Sequence, residues 1–246
     1  MNPANMNTNL LTLEGVHTHI GAYHILHGVD LVVPRGELTM LLGRNGAGKT
    51  TTLRTIMGLW QASQGRITFG GEGITALNTP AIAQKNIAYV PENMGIFSDL
   101  TVKENLLLAA RSAQNASQMD EARLQWIFKL FPAVEKFWNH PAGKLSGGQK
   151  QMLAVSRAIV EPRDLLIIDE PSKGLAPAII QNMIEAFQQL KASGVTILLV
   201  EQNIHFAQQL GDTVAVMDNG RVVHAGRMQA LAEDTALQQS LLGLAL

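Results

Sequence analysis

Eight consecutive residues, Gly43-Arg44-Asn45-Gly46-Ala47-Gly48-Lys49-Thr50, have the types and spacing to hold a polyphosphate. They fit the pattern G-x-x-x-x-G-K-[ST], a loop whose successive backbone N–H groups turn toward one anion. Glycine supplies the tight turn, and a helix starting at the loop's end adds its positive terminus. In this pattern Lys49 reaches the β- and γ-phosphates and the Thr50 hydroxyl binds Mg²⁺. Thr51 extends the phosphate-binding stretch into the helix. The competing reading is a chance glycine-rich turn, and the flanks argue against it. Glu37–Leu42 reads as a buried strand and Thr51–Met57 as a helix, which is the setting the pattern requires. The spacing predicts a nucleotide site.

Two further stretches carry reactive groups. Leu165-Leu166-Ile167-Ile168-Asp169-Glu170 is an apolar run ending in two carboxylates. On a strand beside the P-loop strand, Asp169 would lie near the metal, and Glu170 where a general base can act on the attacking water. Alone, such an ending could be a solvated turn. Leu145-Ser146-Gly147-Gly148-Gln149 opens a helix running through Val160. Ser-x-x-Gln is itself a capping box, so a plain cap is the alternative. Two glycines in a first turn weaken a helix by about 1 kcal/mol each relative to alanine. That cost makes sense where a phosphate must approach the backbone, and the serine hydroxyl and helix dipole suit an anion too.

The elements that must position these groups follow from the rest of the chain. Its 246 residues make one large domain or two small ones, with 46% hydrophobic and 16% charged residues. A net charge of −1 offers no general attraction for nucleic acid or anionic lipid. With no cysteine, disulfides, thiolate catalysis and cysteine-ligated metals are excluded. Residues 1–9 are polar and uncharged, and read as a disordered tail rather than a signal peptide. The longest apolar runs, such as Ile197–Val200, are strand-length and far below a membrane span. Residues 10–37 read as antiparallel strands packed beside the P-loop strand, and Gly65–Gly71 as a second hairpin. Asn78-Thr79-Pro80 predicts a cap with proline at the first helical position, and Ile87–Val90 a buried strand. Thr101–Glu104 has capping-box form and opens a helix through Ala110; Ser112–Ser117 reads as a loop; a helix from about Met119 to Phe131 stops at Pro132. Then come strand 165–169, helix 177–192, strand 195–200, helix 203–210 and a hairpin turning at Asn219-Gly220, followed by a short helical tail.

Gly43–Thr50, Leu145–Gln149, Leu165–Glu170 and Glu201-Gln202 have the order and spacing of the ATP-binding cassette ATPases, and the chain resembles that family over about residues 10–240. The resemblance implies an α/β P-loop NTPase with a RecA-like core, an antiparallel β subdomain and an inserted α-helical subdomain at about 93–160, within one nucleotide-binding domain spanning 10–246. It implies ATP and Mg²⁺ as cofactors. It also implies a head-to-tail dimer in which ATP lies between Lys49 of one subunit and Ser146 to Gln149 of the other. Three positions depart from the usual pattern. Glu92 stands where most cassettes carry a glutamine near the metal. Gln202 replaces the switch histidine, and Ala176 a frequent aspartate. His205 lies one helical turn too late to be the missing switch and reads as a surface residue. Val90-Pro91-Glu92, Leu175-Ala176-Pro177 and Val200-Glu201-Gln202-Asn203 resemble the ATPase subunits of branched-chain amino-acid uptake systems. Urea or amide importers and lipid or lipopolysaccharide exporters are the alternatives, with a non-transport cassette ATPase behind them. The usual adenine-stacking aromatic aligns with Ile20, leaving Tyr23 as the substitute or as a packing residue. The partners implied are multi-span permease chains, a second ATPase subunit and, indirectly, an external binding protein. The implied location is the cytoplasmic face of the inner membrane. Asn93–Val102 would receive the permease, although Met94, Ile96, Phe97 and Leu100 could instead be core.

Overall fold

The computed structural model describes residues 8–110, 115 and 118–243. Its spine is a six-stranded sheet in the order β10-β9-β3-β8-β7-β6. These strands are β3 (Leu38–Gly43), β6 (Ile87–Val90), β7 (Leu165–Asp169), β8 (Thr196–Glu201), β9 (Thr213–Asp218) and β10 (Arg221–Arg227). All of its pairings are parallel except β9 with β10. Every residue of β3, β7 and β8 is buried. Continuous apolar runs of this kind mark strands covered on both faces.

Side chains alternate between the two faces with period two. Met40, Leu42, Leu166, Ile168, Ile197 and Leu199 enter one core; Leu41, Leu165, Ile167, Leu198 and Val200 enter the other. The first core is closed by α3 (Val102–Ala109), α4 (Glu121–Leu130), α6 (Gly147–Ile159), α7 (Pro177–Ala192) and α8 (Ile204–Leu210). The second is closed by α1 (Lys49–Ile56), α2 (Thr79–Ala83) and a four-stranded antiparallel sheet in the order β2-β1-β4-β5. That sheet comprises β1 (Asn9–Ile20), β2 (Tyr23–Pro34), β4 (Ala62–Phe69) and β5 (Glu72–Gly73). Short helices α5 (Pro132–Lys136), α9 (Met228–Glu233) and α10 (Thr235–Leu242) complete the order.

Several expectations need correction. The early antiparallel strands pack beside the P-loop strand as expected, but across the second core and not within its sheet, because their hydrogen bonds go to β4. β7 is not next to β3 either: β8 pairs with both and separates them. Of the polar start, residues 1–7 lie outside the described residues, and Asn9 already pairs with Pro34. Pro80 takes the second helical position after the Asn78 cap, and Pro132 begins α5 as well as ending α4. Ser112–Ser117 lies outside the described residues apart from Asn115. The Thr101–Glu104 capping box is formed, and Asn219 (φ 45°) with Gly220 (φ 73°) makes the expected hairpin turn.

Candidate functional site

The parallel register puts the C-terminal ends of β3, β7 and β8 side by side, the edge where open α/β sheets present their ligand sites. β3 ends at Gly43, whose φ of 149° only glycine adopts freely. A Cβ there would sit 2.4 Å from the Met217 carbonyl oxygen, so β9 holds the loop entrance tightly. Gly48 caps α1 in the left-handed region and supplies no side-chain cap. The first amides of α1 are therefore left to a ligand. The buried Lys49 ammonium donates to the carbonyls of Gly43 (2.8 Å) and Arg44 (3.1 Å), and lies 3.7 Å from Glu170 Oε1. Burial pulls its pKa below the ordinary lysine value, against the opposing pull of Glu170 and Asp169.

The two acids occupy different environments. Asp169 is 1% exposed, and its Oδ1 accepts from the Thr50 hydroxyl at 3.2 Å while its Oδ2 has no hydrogen-bond partner. Burial, only partly offset by that hydroxyl, raises its pKa to about 6. An orphaned buried acceptor beside a threonine hydroxyl suits a cation-bound water or the cation itself. Glu170 is buried in the left-handed region at φ 49°, a strained placement for a residue with a side chain. Its Oε1 accepts from Gln202 Nε2 at 2.5 Å, and its Oε2 lies 3.3 Å from Lys173 Nζ. Lys173 also pairs with Glu92 Oε1 at 2.6 Å, so Glu92 faces a lysine rather than Thr50. Among the described residues no group of three or more His, Asp or Glu could by itself hold a metal. Magnesium is commonly held by one or two protein oxygens plus phosphate oxygens, and Thr50 with Asp169 meets that need.

Asn45, Glu170, Ser172, Lys173, Glu201 and Gln202 line a cleft of about 260 Å³. An adjoining cleft runs along Gly43, Arg44 and Asn45. Gly46 and Ala47 complete the loop, and Ala47 accepts from the Gly220 amide at 2.9 Å. Tyr23 opens β2 opposite Ile20 and is 75% exposed, which removes the packing reading and leaves its ring free. His205 is exposed on α8.

The segment 145–149 stands apart from this centre and lines neither cleft. Leu145 is buried, and Ser146 with Gln149 forms the capping box reciprocally. The two glycines then differ. A Cβ on Gly148 would lie 2.6 Å from Ile179 of α7, so its smallness serves packing. A Cβ on Gly147 would meet nothing within 4 Å. Gly147 is helical and exposed, and nothing among the described residues requires a glycine there.

Sequence reasoning did not assign roles to Lys173 or Glu201. It also passed over a contact cluster of His17, His19, His24 and His27. The His17–His27 and His19–His24 pairings across the β1–β2 hairpin were the available signal.

Strand, phosphate loop, helix and paired acids at one sheet edge define a P-loop nucleotide hydrolase. The sequence pattern of the family described as ABC transporter matches residues 26–173, and the chain belongs to that family. The high-affinity branched-chain amino acid transport ATP-binding protein BraG of Pseudomonas aeruginosa is 40% identical over 95% of this chain and 100% of its own length. A probable branched-chain amino acid transport ATP-binding protein, LivF of Archaeoglobus fulgidus, is 34% identical over 90% of this chain and 93% of its own. Among solved structures, the ADP conformation of MJ1267, an ATP-binding cassette of an ABC transporter, matches with a TM-score of 0.79. It is 26% identical, over 96% of this chain and 99% of that one. The chain is an ATP-binding, ATP-hydrolysing cassette of α/β fold.

Proposed function

We propose that this chain is the ATPase subunit of an importer for branched-chain amino acids, docked on separate membrane permease chains. The observation that carries the substrate class is the end-to-end likeness to BraG. Among the described residues no helix is long and apolar enough to cross a membrane, consistent with a separate permease.

In this reading the amides of Gly46 to Thr51 and the Lys49 ammonium cradle the β- and γ-phosphates. Lys49 exchanges the Gly43 and Arg44 carbonyls for phosphate oxygens. Thr50 and Asp169 would hold Mg²⁺, while Glu92 is tied through Lys173 to Glu170 and acts on Asp169 electrostatically. The bound cation supplies neutralisation of charge on the phosphate oxygens. Glu170 takes a proton from the attacking water, and the Gln202 amide holds that carboxylate in line. Tyr23 stacks on adenine. Leu145 to Gln149 close over the ATP of a second cassette, for which the open space around Gly147 provides room. A cavity of about 730 Å³ lined by Leu59, Trp60, Met94, Ala109 and Ala154 receives the permease. Phe97, 49% exposed under the Arg157 guanidinium, stands at the permease-facing segment.

Uptake of labelled leucine by cells lacking this gene tests the substrate. Leucine uptake should fall to background and return with the intact gene but not with Lys49→Ala. Unchanged leucine uptake together with lost efflux of a lipid substrate would replace importer by exporter.

A further inference from the structure

We infer that Glu201 is a positioning residue for hydrolysis, acting through Gln202. The inference rests on the reading of Glu170 and Gln202 above. Glu201 is the last residue of β8 and is 2% exposed. Its Oε1 accepts from the Ser172 amide at 2.9 Å. Its Oε2 accepts from the amides of Gln202 at 3.0 Å and Asn203 at 3.2 Å. One carboxylate thus clasps two loops. Ser172 belongs to the turn that follows Glu170, where the Lys173 amide donates to the Glu170 carbonyl. Gln202 and Asn203 belong to the turn that leads into α8.

The position of the clasp matters. The backbone link between β7 and β8 ends with the Glu170 amide donating to the Val200 carbonyl. One residue beyond, the chains part, and the Glu201 side chain takes over the connection. That connection keeps the Gln202 amide against Glu170 Oε1. Among the described residues no ion pair reaches Glu201, and Lys49 acts on it electrostatically. Its buried charge is offset by the Ser172 hydroxyl and by the three amides, and a carboxylate so held is sensitive to the loss of any one. Both oxygens must accept. A glutamine has a single acceptor oxygen, so its NH₂ would face an amide donor on one of the two loops. An aspartate keeps both acceptors and only shortens the reach.

The test is steady-state ATPase kinetics on the full chain with Mg-ATP, comparing Glu201→Gln, Glu201→Asp, Gln202→Ala and Glu201→Gln/Gln202→Ala, with melting temperature recorded for each. Glu201→Gln should lower kcat about tenfold while KM for ATP stays within about twofold, the signature of a lost transition-state interaction. Glu201→Asp should retain more kcat than Glu201→Gln. The double variant should be no slower than Gln202→Ala, because residues acting through one contact do not add. Wild-type kcat in Glu201→Gln, multiplied losses in the double variant, or a kcat loss that only tracks a fall in melting temperature would overturn the inference. Should Glu201→Gln fail to fold, Glu201→Asp with and without Gln202→Ala decides by the same additivity. Failure of the underlying reading looks different: Glu170→Gln and Gln202→Ala would then both turn over like wild type.

Discussion

The P-loop centre and the segment 145–149 are both made of glycine, hydroxyl and amide groups, but their own chain treats them in opposite ways. Around Gly43, Lys49 and Glu170 the side chains are held by their own chain, and what stays open, the first α1 amides and Asp169 Oδ2, faces the ligand site. A carbonyl blocks any Cβ on Gly43, Lys49 is held on the loop it serves, and Glu170 is strained and gripped from two sides. Around Ser146 and Gly147 the helix is capped and then nothing follows. A position whose glycine has no reason inside the chain calls for one outside it. The proposed composite site, with the second half supplied by another cassette, gives that reason.

Glu170→Gln is the harshest break of the engaged half. Turnover should fall by about 10²–10⁴, the range of general-base contributions, while Mg-ATP still binds. Equilibrium nucleotide binding beside steady-state hydrolysis checks both parts, and wild-type turnover would remove Glu170 as base.

Gly147 and Gly148 separate the two halves next. Gly147→Val should cut hydrolysis at least about tenfold at unchanged melting temperature and unchanged ATP affinity of the monomer. Gly148→Val should instead lower the melting temperature by several degrees, since overpacking against Ile179 costs about 1–3 kcal/mol. Calorimetry with nucleotide titration separates the two. Collapse of monomer affinity in Gly147→Val would reduce the segment to a cap.

Gln202 tests a finer feature. Gln202→Ala should lower hydrolysis far more than ATP binding. Gln202→His should keep activity and add a pH dependence near the unperturbed histidine pKa, about 6 to 7. A pH–rate profile of each variant reads this, and a flat profile for the histidine variant would contradict it.

Much of this was legible because the informative signals are local. The bounds of β6, β7 and α7 match the apolar runs and the Pro177 start read from sequence, and each Ser/Thr-x-x-Glu/Gln box forms its cap. What was not legible depends on which strands are neighbours. β3, β7 and β8 are all mostly apolar and buried throughout, so their order cannot be read from pattern, and β8 lying between the other two came only with the structure. Lys173 and Glu201 follow from that order: the lysine reaches Glu92 across the β6–β7 edge, and the glutamate reaches Ser172 across the β7–β8 edge. The histidine cluster likewise depends on hairpin register.

The smallest effect concerns Asp169. Its folded pKa of about 6 lies above the ordinary aspartate value of about 3.9, so the folded state binds the proton more tightly. Stability of the nucleotide-free chain should therefore decline as pH rises from about 4 through about 6 and level off above. Asp169→Asn, which can still accept from Thr50, should remove that decline, melting near wild type at pH 4.5 and a few degrees higher at pH 7.5. Thermal melts across pH check it. A variant less stable than wild type at pH 7.5 would contradict the assigned desolvation.

On the proposed function, one chain carries two unequal halves of an ATP site that meet between copies. Sedimentation of Glu170→Gln with saturating Mg-ATP tests it most directly, run beside Glu170→Gln/Gly147→Val. The account predicts a dimer for the first and a monomer for the second, at equal ATP occupancy. A monomer in both, or a dimer that persists with valine at position 147, would contradict it.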